Sequence, residues 1–216
     1  MSIRKVNFVP NEYYHIYNRG NSKQKIFQNR QDYEYFLKLL FLSNGEKKFK
    51  LSFLSGDVYE IKRGNQIVAI GAYCLMPNHF HILISQIENE GISRFMHKLT
   101  SGYSHYYNKK YERTGSLFEG KFKSEYIGND RYLKYLFSYI HLNIVKLIQK
   151  DWKEKGIQNK QKVIDFLKNY KYSSFQDCIG IIRKENAILK KEVFPDYFPT
   201  VKNFLSEIFD WLKIEC

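Results

Sequence analysis

Cysteine is scarce and unpatterned. Cys74, Cys178 and Cys216 stand far apart, odd in number and without a CxxC spacing, which argues against a disulfide framework and a thiolate zinc site. The four prolines are too few to mark a long stiff linker. No apolar run reaches the roughly 20 residues that a membrane-spanning helix needs. The basic N-terminal stretch MSIRKVNFVPNEYYH lacks the apolar segment and small-residue cleavage site of an export signal. Internal repeats and low-complexity tracts are missing too. A cytoplasmic chain with reduced thiols is expected. Acidic residues are in deficit: 22 stand against 35 Lys and Arg, for a formal charge of +13. Such a field attracts polyanions, nucleic acid foremost and membrane surfaces also.

What is present fits a globular protein. A chain of 216 residues, 44% apolar, is long enough for one domain with a sizeable core and a modest extension. Aromatics reach 17%, suited equally to stacking on exposed bases and to ordinary core packing.

Periodicity orders the elements. Tyr13 to Tyr17 is rich in strand formers and runs into the turn-prone Asn18-Arg19-Gly20-Asn21, so a first strand and its exit are expected there. From Arg30 to Leu42 apolar residues fall at helical spacing, while Phe49 to Lys62 resembles a strand or hairpin. Gln66 to Ser85 reads as a long strand broken near Met76-Pro77-Asn78, and it is expected to pair with the preceding hairpin. A helix over Ile92 to Tyr107, an extended Gly115 to Ile127, and a helix capped by Asp130 follow. The order predicts an α+β fold, a ferredoxin-like antiparallel sheet with packed helices. Past about residue 150 a charged run gives way to short amphipathic segments, so the chain divides into a domain over 1–150 and a helical C-terminal extension over 151–216.

The string Met76-Pro77-Asn78-His79-Phe80-His81-Ile82-Leu83-Ile84 carries the most chemistry. Strand residues two apart share a face, so His79 and His81 present imidazoles together while Phe80 points into packing. Such a pair can hold a divalent cation, although the triplet alone leaves two surface or hydrogen-bonded histidines open. Without thiolates, oxygen donors would complete the set, favouring Mg²⁺ or Mn²⁺ over structural zinc. The segment Ser138-Tyr139-Ile140-His141-Leu142-Asn143 offers a third ligand. Tyr139 and Asn143 lie four apart on one helical face, and His141 points elsewhere. Asn143 is the preferred donor, and His141 is expected to cap, pack or contact DNA. Periodicity alone makes Tyr139 a core tyrosine, one of 18.

Taken in order, YYHIYNRGN, CLMPNHFHILI, GSLFEGKFKSEYI and SYIHLNIVK resemble the REP-associated tyrosine transposases, members of the HUH superfamily of single-strand nucleases. The resemblance covers about Tyr13 to Lys146, and Tyr172-Ser173-Ser174-Phe175 resembles a string that follows the catalytic domain in that family. It implies that His79 and His81 occupy the metal-binding histidine positions, Asn143 the helical ligand position and Tyr139 the nucleophile position. Ile144 departs from the proline usual after that asparagine, a change that removes no reactive group.

The implied activity is cleavage and rejoining of single-stranded DNA at hairpin-forming repeats through a 5′-phosphotyrosine, with Mg²⁺ or Mn²⁺ and no organic cofactor. The expected partner is single-stranded or hairpin DNA, with no membrane; on the nucleoid the chain would act as a monomer, with a dimer, as in related simple transposases, the alternative. Asn18, Arg19 and Asn21 are candidate DNA contacts by similarity, with a plain turn as the alternative. Lys109, Lys110, Arg113, Lys121 and Lys123 form a basic stretch expected beside the site, unless it is only a solvated face. Two other functions compete: a non-catalytic DNA-binding protein of the same fold, and a water-using phosphodiesterase that would not need Tyr139.

Overall fold

A computed structural model describes residues 7–47, 49, 51 and 54–211, the side chains of Lys153 and Trp211 excepted. Four segments rich in β-branched and aromatic residues pair into one sheet: β1 (Tyr13–Arg19), β2 (Val68–Met76), β3 (His79–Gln86) and β4 (Lys123–Tyr126). Their order is β2-β3-β1-β4 and every pairing is antiparallel. Helix α1 (Arg30–Ser43) joins β1 to β2, and α2 (Gly91–Lys110) joins β3 to β4. This is the ferredoxin-like βαββαβ arrangement.

The period-two alternation of the two central strands splits the core into two layers. Tyr14, Ile16, Phe80, Ile82 and Ile84 pack with Phe36 and Leu40 of α1 and Phe95, Leu99 and Tyr103 of α2. On the other face Ala72, Cys74, Met76 and Leu83 pack under Leu133, Leu136 and Ile140 of α3 (Asp130–Leu142). That second face therefore receives the odd-numbered residues of β1 and β3, among them Tyr17, His79 and His81.

Beyond α3 come α4 (Trp152–Lys155), α5 (Lys160–Asn169), α6 (Phe175–Cys178) and α7 (Val201–Trp211). Phe175, Phe204 and Ile208 enter the core under α3. Ser173 bridges Cys74, while the Leu75 amide donates to the Tyr172 carbonyl and the Ser174 amide to that of Tyr73. The outer edge of β2 is thereby partly covered, which removes a template for pairing with other chains. At Gly71, beside the β2 bulge, an added Cβ would lie 3.0 Å from the Phe194 ring; glycine lets that ring pack flat on the strand.

Several expectations change. The described residues of Phe49–Lys62 form no strand and hold a short 3-10 turn at Val58–Glu60; residues 50, 52 and 53 lie outside the described residues. The long strand is instead a β2–β3 hairpin that pairs with itself. Only Lys123–Tyr126 of the Gly115–Ile127 stretch is a strand. The cap of α3 is Asn129, whose side chain accepts from the Tyr132 amide, and not Asp130. No helix among the described residues is long and apolar enough to cross a membrane.

Candidate active site

β1 and β3 are paired so that Tyr17 stands opposite His81 and Arg19 opposite His79. All four belong to the odd-numbered register that faces α3. The turn between β2 and β3 is fixed by the exit of β1: the Gly20 amide donates to the Asn78 carbonyl at 2.8 Å. A Cβ at residue 20 would meet the Gln24 carbonyl oxygen at 2.3 Å, so only glycine fits this approach.

His79, His81, Tyr139 and Asn143 line one cleft of about 340 Å³. The two imidazoles lie 5.0 Å apart between centroids and edge to face. Tyr139 meets His81 edge-on at 5.9 Å, half-buried and on the histidine side of the sheet. Asn143 is buried at the end of α3; its Nδ2 donates to the Tyr139 carbonyl at 3.0 Å. That bond leaves Oδ1 as the atom it can offer to a ligand. His79 Nδ1 is engaged by Asn78 Oδ1 at 2.7 Å and His81 Nδ1 by His15 Nε2 at 2.8 Å. In both rings Nε2 is then the nitrogen able to bind a cation without breaking these contacts. Burial, helped by nearby Lys146 and Arg19, lowers the His79 pKa to about 4, so it is neutral at pH 7 as a metal ligand must be. Among the described residues no cluster of three or more His, Cys, Asp and Glu is placed to hold a metal. A donor set here is two imidazoles and one carboxamide, which fits a divalent ion completed by phosphate oxygen and water.

A second tyrosine, Tyr17, also lines the cleft. Its hydroxyl donates to Glu125 Oε1 at 2.9 Å, and burial together with that bond pushes its pKa up to about 12. Tyr17 and Tyr139 are therefore the two phenols of the cleft, Tyr17 held as a protonated phenol by Glu125.

The family model for IS200-like transposases matches residues 8–143. The chain belongs to that family. No curated protein sequence matches it. Among solved structures, one described as a REP-associated tyrosine transposase bound to a REP hairpin is similar over 86% of this chain and 90% of that one. Its TM-score is 0.53 and its identity 13%, a likeness of fold. The family match ends at Asn143, so it spans His79, His81, Tyr139 and Asn143 of this IS200-like transposase.

The cationic candidates separate in space. Arg19 and Lys123 line the cleft, and so does Asn18, whose Nδ2 donates to the Gly120 carbonyl. Arg19 also forms a two-pronged pair with Glu119. Asn21 is exposed in the turn beyond β1, its amide bonded to the Leu117 carbonyl. Lys121 lines a neighbouring cleft that shares Asn18. Lys109, Lys110 and Arg113 do not join the site, because α2 and the turn after it carry them onto the opposite helical layer. There Lys110 pairs with buried Asp32 at 2.6 Å, and Arg113 lies over the Tyr107 ring. His141 is fully buried between the Phe137 carbonyl and the Ser174 hydroxyl, a packing histidine. Sequence reasoning missed Lys146, Glu119, Tyr17 and Asn78 as cleft residues. Tyr17 alone had a usable signal, its place in the first strand beside the candidate contacts Asn18 and Arg19.

Proposed function

We propose that this IS200-like transposase cuts and rejoins single-stranded DNA at a hairpin through a covalent bond to Tyr139. The carrying observation is the convergence of Tyr139, His79, His81 and Asn143 in one cleft bordered by Arg19, Lys123 and Lys146. His79, His81 and Asn143 would hold Mg²⁺ or Mn²⁺, which when bound offsets charge on the phosphate oxygens and orients the phosphorus for in-line attack.

The protein's own part follows from the geometry. Free tyrosine is about one part in a thousand phenolate at pH 7, a handicap of about 4 kcal/mol, so placement must compensate. Arg19, Lys123 and Lys146 attract the strand and fix a phosphate between the histidines and the phenol. Tyr139 Oη bonds to phosphorus as the P–O3′ bond breaks; the phenol proton is lost and the departing oxygen takes one up. The product is a 5′-phosphotyrosine and a free 3′-hydroxyl. Phenolate is itself a competent leaving group, so a 3′-hydroxyl can attack that phosphorus and restore Tyr139 without ATP. A single strand bends to fit a cleft between sheet and helix more readily than stiff duplex. Asn18 and Lys121 would extend its track into the adjoining cleft, and Asn21 would touch it at the turn.

Residues 1–150 would be the catalytic domain and 151–216 an extension supporting α3. All four central residues come from one chain, so a monomer suffices. It would work in the cytoplasm, on nucleoid DNA. The test mixes full-length protein with a hairpin oligonucleotide and Mn²⁺. A denaturant-resistant protein–DNA adduct is expected for wild type and not for Tyr139→Phe. Cleavage by Tyr139→Phe at the wild-type rate without any protein–DNA adduct would establish water as the nucleophile, and cleavage with an adduct would establish another tyrosine; binding with neither cleavage nor adduct would establish a non-catalytic binder.

A further inference from the structure

His15 lies in β1 two residues from Tyr17, buried beneath His81 with 4% of its surface exposed. Its Nε2 is 2.8 Å from His81 Nδ1, and the rings are nearly parallel at 21° with centroids 5.0 Å apart. Its other nitrogen, Nδ1, has no hydrogen-bond partner despite its burial. It faces Glu125 Oε2 at 3.7 Å. Glu125 also accepts from Tyr17 at 2.9 Å and from Tyr132 at 3.4 Å, so β1 and α3 hold that β4 carboxylate near the histidine. An ordinary core histidine looks different: His141 is bonded at both ring nitrogens.

We infer that His15 is a positioning residue: the middle member of a Glu125–His15–His81 chain that fixes the tautomer and ring orientation in which His81 can bind a divalent cation through Nε2. This rests on the metal-site reading above. Proton placement carries it. A neutral imidazole that gives the Nε2 lone pair to a cation keeps its proton on Nδ1. His81 Nδ1–H then donates to His15 Nε2, and His15, accepting there, carries its own proton on Nδ1, the atom aimed at Glu125. One arrangement serves all three groups. In the reverse arrangement His15 Nε2–H donates into His81 Nδ1, which moves the His81 proton to Nε2 and closes it to a cation. It also turns a lone pair of His15 toward a carboxylate, which is repulsive. Outer partners of this kind orient the ligand ring and raise its basicity, and their loss typically weakens metal binding by about 10–100-fold.

The experiment titrates Mn²⁺ into the full-length, DNA-free protein by electron paramagnetic resonance. It compares wild type, His15→Ala, His15→Gln and His81→Ala. Melting temperature and metal-free affinity for a hairpin oligonucleotide are measured alongside. His15→Ala is expected to weaken Mn²⁺ binding by about 10–100-fold while metal-free DNA affinity stays near wild type. His15→Gln, whose amide oxygen can accept from His81 Nδ1–H, should recover part of the loss. Nitrogen-15 shifts of metal-free wild type should place the His81 proton on Nδ1, a readout that does not depend on a folded variant. A proton on Nε2, or wild-type Mn²⁺ affinity in His15→Ala, overturns the inference and leaves the metal site standing. Wild-type protein that binds no Mn²⁺, or binds it equally well in His81→Ala, overturns both.

Discussion

Burial keeps two histidines neutral for different ends. His79 sits at the cleft with its pKa lowered to about 4, and His141 is sealed in the α3 layer with its pKa lowered to about 3; desolvation of the cation dominates in both. In the unfolded chain each would titrate near 6.5. As pH falls through that value the unfolded state takes up protons the folded state refuses, so stability is whole above about 6.5 and drains away toward 4 and 3. Between pH 6.5 and 5 most carboxylates have yet to protonate, and histidines set the slope. The melting temperature is therefore expected to fall over that interval, and His141→Gln to flatten it. An unchanged slope in that variant would show that His141 is not among the groups responsible.

At the scale of elements, α1 and α2 are locked by one buried acid. Asp32 completes the capping box of α1 with Asn29 and accepts from Lys110 at 2.6 Å and from Tyr106 and Tyr111. Burial pushes its pKa up, but the bonds from Lys110, Tyr111, the Gln28 amide and Tyr106 outweigh this and hold it below the ordinary carboxylate value. Asp32→Asn leaves Lys110 facing a neutral amide in a half-closed site and should cost about 2–3 kcal/mol in urea unfolding, somewhat below the range for fully buried pairs. The same elements mark how far sequence alone reaches. β1, α1, β3 and α2 were legible because apolar residues recur at clear periods, and the alternation of His79, Phe80 and His81 placed both imidazoles on one face. The Phe49–Lys62 stretch misled because Phe49, Leu51, Tyr59 and Ile61 look strand-like yet cover the α1 layer without pairing. Lys109, Lys110 and Arg113 misled because α2 runs on to Lys110, and neighbours in sequence were turned away from the cleft. Lys146 and Glu119 carry no local pattern; only the closing of α3 and the β1 exit over β3 brings them to the cleft. His15 shares a strand face with Tyr17, but cross-strand register was needed to set it against His81.

The whole molecule is a sheet with its chemistry on the face that the extension helps to build. Phe175, Phe204 and Ile208 are buried against the layer that holds Leu136 and Ile140 of α3, and Ser174 ties His141 to β2. A chain ending at residue 150 would expose that layer, so it is expected to aggregate or to lose the sharp urea transition of the full chain; a soluble, cooperatively folded 1–150 fragment would contradict this. The positive balance of 35 basic to 22 acidic residues favours DNA as a partner, and under the proposed function the atom that reacts is set by a few ångströms between β1, β3 and α3. Peptide mass spectrometry of the protein–DNA adduct formed with Mn²⁺ tests that most directly. The residual 5′-phosphonucleotide should sit on Tyr139, and finding it on Tyr17 or any other residue, or finding cut DNA with no modified peptide, would contradict the account.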